Sequence, residues 1–360
     1  MPESHNHSDF DSIFLEDEPV DERDLDSRRG DGGRTRKKRK TGRNVLIVVL
    51  VLVLLAVLGI GVYAFYVANL WDSGSQGVTD EEAFGGDRPD PEGTGTNILL
   101  LGSDTRAEGD DLEDARGSRS DTIMVMHLPE DSSGVQIMSI PRDAWVEVEG
   151  HGQAKINAAM SYGGLSLATS TISDFIGAPI HHVAVIDFEG FQALTDSLGG
   201  VDVESEQAFS VDGHTFDEGT NHLNGEEALA FVRARKQFAD GDLQRVRNQQ
   251  AFLTGIMNEI ISADTLSNPN KVAGMVRDFS PYMTVDSGLS ASKIASMAFG
   301  MRDIRSGDIE FFSAPVSGLG TSSDGQSYLT IDEGELGKVR DAFKNDTVDE
   351  YAAAAESQHL

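Results

Sequence analysis

Arginine and aspartate recur together in a few short stretches of this 360-residue chain. From Val45 to Leu360 there are 49 acidic and 19 basic residues, and eight of the nineteen fall in those stretches: Arg106, Arg119, Arg142, Lys155, Arg233, Arg235, Arg245 and Arg247. An acidic polypeptide that concentrates its scarce cations suits an oxygen-rich anion, phosphate or pyrophosphate, because guanidinium groups bind such oxygens through paired N–H donors. Any one of these arginines, taken singly, also reads as the partner of a surface carboxylate.

Asp104 follows an apolar run in Leu101-Gly102-Ser103-Asp104, and Asp121 opens another in Arg119-Ser120-Asp121-Thr122. Two carboxylates at neighbouring strand ends offer a seat for Mg2+, which takes one or two protein carboxylates and completes its shell with water and substrate phosphates. Turns and caps are the other common use of such aspartates. Arg142 comes directly after an apolar run and a proline in Ser139-Ile140-Pro141-Arg142. Strand ends open onto the crevices in which α/β sheets bind ligands. Lys155 falls at an expected helix start. Arg233 and Arg235, two apart, face the same way if their segment is extended. Asp242, Arg245 and Gln249 are spaced i, i+3, i+7 and share a helical stripe beside Leu253 and Ile256. Polar groups partly buried there need partners, which a bound phosphate or an Asp242–Arg245 pair supplies.

The elements that must position these groups alternate. Apolar runs of strand length cover Asn97–Leu101, Thr122–Leu128, Val135–Ile140, His182–Ile186 and Val201–Glu204. Helical spacing predicts helices over Leu165–Ile176, Phe188–Leu198, Gly225–Val232 and from Asp242 to about Ser262. Weaker elements follow: a helix near Ser290–Met301, a strand near Ile309–Ser313 and a helix near Glu333–Phe343. Such alternation predicts an α/β domain, a central sheet with helices on its faces, over residues 96–345. A Gly-, Asp-, Glu- and Pro-rich stretch at 68–95 reads as a linker, and the acidic, alanine-rich residues 346–360 as a disordered tail.

Residues 1–44 are polar and without apolar periodicity, and are expected to be a disordered cytoplasmic tail. Val45–Val67 follows, 23 residues with no charge; about 20 apolar residues suffice for a transmembrane helix. Seven basic residues from Arg34 to Arg43 precede it, and none follows before Arg88. The positive-inside rule then leaves the N-terminus in the cytosol, its basic cluster against membrane lipid, and the domain outside. Formal net charge is −31, which argues against nucleic acid as a partner of the domain. Cysteine is absent, so there is no disulfide framework or thiolate metal site.

Taken in order, GSDTR, RSDTIMV, SIPRD, KINAA, DFEGF, GGVDV, LNGEEALAFVRAR and DLQRVRNQQ make the stretch from about Asn97 to Leu253 resemble the LytR-CpsA-Psr family of cell-envelope glycopolymer transferases. The resemblance implies an α/β/α sandwich with a central mixed sheet and an apolar lipid tunnel, preceded by one transmembrane helix. It implies that Asp104 and Asp121 hold Mg2+ against a pyrophosphate contacted by Arg119, Arg142, Arg233, Arg235 and Arg245, with Gln249 in support and Lys155 nearby. Arg142, Arg245 and Asp121 would carry catalysis. The donor would be a polyprenyl-pyrophosphate-linked glycopolymer and the acceptor a peptidoglycan hydroxyl, joined by a phosphodiester. Two features depart from the family pattern: a long charged span between Asp104 and Asp121, and Asn248 where a second arginine is usual, with Arg247 one position early. A pyrophosphatase acting on the same donor needs the same residues. A membrane-tethered transcriptional regulator has only the basic cluster in its favour.

Overall fold

The structure, a computed structural model, describes residues 41–90, 95–103, 120–238 and 242–356. The chain divides into two compact units, residues 1–57 and 58–360. Helix α1 (Thr41–Gly74) crosses that boundary. Its stretch Val51–Gly74 is, among the described residues, the one segment long and apolar enough to cross a membrane.

In the second unit come β1 (Gln76–Val78), α2 (Asp80–Phe84), β2 (Thr96–Ser103), β3 (Ser120–Leu128) and β4 (Val135–Ile140). A hairpin of β5 (Trp145–Val148) and β6 (Gly152–Lys155) leads into α3 (Ala158–Ile176), β7 (His182–Asp187) and α4 (Phe188–Leu198). Two small hairpins use β8 (Val201–Ser205), β9 (Phe209–Val211), β10 (His214–Phe216) and β11 (Gly219–Leu223). Then follow α5 (Gly225–Arg233), α6 (Asp242–Ile260), α7 (Ala263–Leu266), α8 (Pro269–Phe279), β12 (Met283–Asp286) and α9 (Ala291–Gly300). The last elements are β13 (Ile309–Ser313), the hairpin β14 (Val316–Thr321) and β15 (Ser327–Ile331), α10 (Glu333–Asn345) and α11 (Val348–Glu356).

Seven strands form one mixed sheet in the order β1-β12-β7-β2-β3-β4-β13. β2 runs parallel to β7 and antiparallel to β3, β3 antiparallel to β4, and β4 parallel to β13. The carboxyl ends of β2, β4, β7 and β13 therefore share one edge with the amino end of β3. Alternate residues serve opposite faces, as the pleat requires. Leu99 and Leu101 face α3 and α10 with Met138, Ile172, Val339 and Phe343. Ile98 and Leu100 face the other layer, with Leu253 of α6 and Met297 of α9. Leu99, Met138, Ile172 and Phe343 are all but fully buried, each stabilising the fold by roughly 1.5–3 kcal/mol of transfer free energy. Helices on both faces of a mixed sheet are the α/β/α sandwich expected.

Three expectations need correction. Residues 68–95 are no linker. α1 continues to Gly74, β1 pairs with β12, and α2 opens on a capping box between Thr79 and Glu82. Arg88 then binds Asp286 at 2.7 Å and Asp80 at 2.6 Å, fastening the segment to the end of β12. Residues 346–360 are not all tail: α11 buries Val348 and Ala352, and Tyr351 meets Phe312 edge-on. Alanine is the best helix former, and the four-residue spacing puts both buried side chains on one face. The helix expected from Leu165 begins at Ala158 and kinks at Gly163–Gly164, where Gly164 takes φ 69°. Residues other than glycine rarely accept that conformation.

Candidate active site

The carboxyl edge of the sheet collects most of the singled-out residues. Pro141 stops β4 by withholding an N–H from the ladder, and Arg142 follows. The backbone is fixed there by Ala144 N–H to the Pro141 carbonyl (2.9 Å) and Ile156 N–H to the Ala144 carbonyl (2.8 Å). Lys155 ends β6, opposite Trp145, rather than starting a helix. Its ammonium lies 2.8 Å from Asp143, whose other carboxylate oxygen is 3.6 Å from Arg142 Nε. The Leu329 N–H donates to the Asp143 carbonyl at 2.9 Å, and Tyr328 stacks on Trp145, so the β14–β15 hairpin closes over this corner. The result is a cavity of about 230 Å³ lined by Arg142, Asp143, Lys155, Arg235, Leu319 and Tyr328, among others.

α5 ends at Arg233, and Ala234, buried, turns the backbone to an extended conformation. Arg233 and Arg235 consequently both emerge on the exposed side. They diverge in use. Arg235 reaches the cavity, whereas the Arg233 guanidinium lies 3.7 Å above the Phe188 ring. Phe188 opens α4 just after Asp187, the last residue of β7. Asp187 caps α4 by accepting from the Gly190 N–H at 2.7 Å. Burial pushes its carboxyl up, the Gly190 N–H opposes, and the net shift is upward. Asp187 is a carboxylate of the site edge that sequence reading passed over, its register partner being Ser103.

α6 brings Gln249 to the same edge, where its Nε2 donates to Thr122 Oγ1 at 3.4 Å, next to Asp121 in β3. Arg245 is half-buried on the same helix. The long charged span between Asp104 and Asp121 lies outside the described residues; the Asn248 and Arg247 departure has a structural explanation. Asn248 is buried and donates to the Phe231 carbonyl at 3.1 Å, tying α6 to α5 two residues before Arg233. Arg247 turns to the β8–β9 loop and binds Glu206 at 3.0 Å and Gln244. It does not line the cavity.

Asp104, Arg106 and Arg119 lie outside the described residues. Asp121 is placed only as the second residue of β3. Among the described residues no cluster of three or more His, Asp or Glu is arranged to hold a metal. A pair of carboxylates is nevertheless a donor set suited to Mg2+, a hard ion that takes oxygen ligands and keeps several waters. The register of Ser103 opposite Ser120 puts the β2 exit beside the β3 entry, one residue from each aspartate in sequence.

The chain matches the model of the LytR_cpsA_psr family over residues 73–345. It is 33% identical over 250 residues to the polyisoprenyl-teichoic acid–peptidoglycan teichoic acid transferase TagU of Enterococcus faecalis, covering 69% of this chain and 78% of that one. It is 30% identical over 309 residues to the cell wall biosynthesis protein LcpA of Corynebacterium glutamicum, covering 74% of this chain and 58% of the relative. Among solved structures, the crystal structure of B. subtilis TagV superposes with a TM-score of 0.60 at 28% identity, over 71% of this chain and 98% of that one.

Proposed function

The chain belongs to the LytR_cpsA_psr family, and on that premise we propose that it is a membrane-anchored transferase that moves a glycopolymer from a polyprenyl-pyrophosphate carrier onto a peptidoglycan hydroxyl. The observation that carries this reading is the convergence of Arg142, Lys155 and Arg235 on one cavity at the carboxyl edge of the sheet. Phosphoryl transfer depends mainly on alignment and on neutralising spread negative charge. Three cations around about 230 Å³ supply both for a pyrophosphate. Asp143 holds two of them in place. Gln249, bonded to Thr122, and Arg233, parked on Phe188, are held at the same sheet edge without lining that cavity.

The polyprenyl chain would follow the apolar layer between the sheet and α8 and α9, to which Leu100, Ile186, Ile294 and Met297 belong. The acceptor oxygen bonds the sugar-side phosphorus as the bond from that phosphorus to the bridging oxygen breaks. Polyprenyl phosphate leaves with the bridging oxygen, the hydroxyl proton is released, and a phosphodiester remains. Mg2+, held by Asp104 and Asp121, would add charge neutralisation at the pyrophosphate. The basic residues that precede the apolar span put the N-terminus in the cytosol and the site outside.

The test is direct. Full-length protein in liposomes receives a polyprenyl-pyrophosphate-linked sugar and peptidoglycan, and the acceptor is examined by mass spectrometry. Sugar joined to the acceptor through phosphate is expected. Free phosphosugar alone would replace the transferase with a pyrophosphatase.

A further inference from the structure

The outer end of α1 is no free tether. Tyr63, Val67, Leu70, Trp71 and Gly74 are half-buried, while Val62, Phe65, Tyr66, Asn69 and Ser73 are exposed. The first five fall on one helical face, and that face is docked on the domain. The Tyr63 hydroxyl donates to the Pro269 carbonyl at the start of α8, at 2.7 Å. Trp71 Nε1 donates to the Leu289 carbonyl at 3.0 Å. The Asp72 carboxylate accepts from the Ala291 N–H at the start of α9, at 2.9 Å. Ser280 donates to the Leu70 carbonyl at 3.4 Å, and its hydroxyl packs so close to Gly74 that a side chain there would collide with it.

The Trp71 ring goes further. Like Leu100, Ile186, Phe279, Ile294 and Met297, it packs against the buried cluster of Ala184, Met283, Val285 and Leu289. That cluster belongs to the apolar layer that the transferase reading assigns to the polyprenyl chain. α1 also ends at the sheet edge that carries the cavity, because β1 follows it and starts level with the amino end of β12.

We propose that the docked face of α1 is a wall of the donor's path: Trp71 joins the apolar surface of the membrane helix to the apolar layer of the domain. A long isoprenoid then passes from bilayer to site without crossing water, which would cost free energy for every methylene exposed. The inference rests on the transferase reading. A short-chain donor, soluble in water, has little need of the path.

The measurement is the ratio of kcat/KM for a long-chain donor to that for a two-isoprene donor, with full-length protein in liposomes. Trp71→Ala lowers the ratio about ten-fold or more, an effect on one substrate's transition-state access and not the other's. A flexible Gly-Ser insertion after Gly74 does the same while keeping every native side chain, which guards against a misfolded variant. The chain has no cysteine, so Asp72→Cys with Ala291→Cys forms a lone cross-link, and this locked protein keeps the wild-type ratio. An unchanged ratio in the insertion variant, or a ratio lost in the locked one, overturns the inference. If the wild type transfers neither donor, the transferase reading fails instead.

Discussion

Asp143 stands between Lys155, at 2.8 Å, and Arg142, at 3.6 Å. One carboxylate thereby holds two like charges side by side in the cavity, where their repulsion would otherwise spread them. Asp143→Ala leaves both cations present but removes the carboxylate between them. We expect kcat to fall about ten-fold, some 1.4 kcal/mol, with KM unchanged or lower because the cavity is now more positive. Asp143→Asn should recover part of the loss. Steady-state kinetics on lipid-linked donor checks this, and an unchanged kcat would remove Asp143 from the positioning role.

Arg247 belongs to a different neighbourhood. It is partly exposed and paired with Glu206, itself more exposed; such pairs contribute about 0–1 kcal/mol. Arg247→Ala should therefore keep kcat/KM within about two-fold, a shift of less than 0.5 kcal/mol. A large loss of transfer with unchanged thermal stability would put Arg247 in the site after all.

Asn248 is a packing residue. Its amide satisfies the Phe231 carbonyl and accepts from Gln244 at 3.1 Å, all in buried surroundings. Asn248→Ala removes both bonds, leaving the Phe231 carbonyl to the Ala234 N–H and the Gln244 amide to Glu206, and should cost about 1 kcal/mol of stability in urea unfolding. A smaller cost would mean that the contact between α5 and α6 is supplied elsewhere.

How much of this was legible beforehand follows from where each residue finds its partners. β2, β3, β4 and β7 were visible because strands covered on both faces read as apolar runs. The α6 stripe was visible for the same kind of reason. β1 and α2 were not. A three-residue strand and a five-residue helix have no periodicity to show, and they exist because β12 supplies a ladder and Asp286 a buried anion for Arg88. α11 was hidden by its acids, its two buried positions too few to stand out. Arg142, Lys155 and Arg235 were singled out and do converge. Arg233 lies on Phe188, and the positions of Asp104 and Arg119 fall outside the described residues. Asp143 and Asp187 stood in SIPRD and DFEGF without a role, since an Asp among sixty acidic residues carries no mark of the cation or helix end it will meet.

Asp286 sets a pH dependence. Burial alone would push its carboxyl up, but His182 and the N–H groups of Val183 and Gly288 outweigh this and hold it below its ordinary value. A carboxyl lowered by folding contributes stability that is fully present above the unfolded pKa and is lost as pH falls through the folded one. The stability gap between wild type and Asp286→Asn should be about 3 kcal/mol near neutrality, since Arg88 and His182 lose a buried anion. It should narrow below a pH of about 4. Urea unfolding from pH 7 to pH 3 tests this; a gap that widens on acidification would contradict it.

The central claim is that the cations at the carboxyl edge hold the donor's pyrophosphate, and equilibrium binding tests it most directly. Full-length protein in nanodiscs is titrated with a polyprenyl-pyrophosphate-linked sugar, alongside Arg142→Ala and Arg235→Ala. A Kd raised about ten-fold or more, roughly 1.4 kcal/mol, is expected in each variant, with thermal stability unchanged. Equal affinity in all three proteins would contradict it.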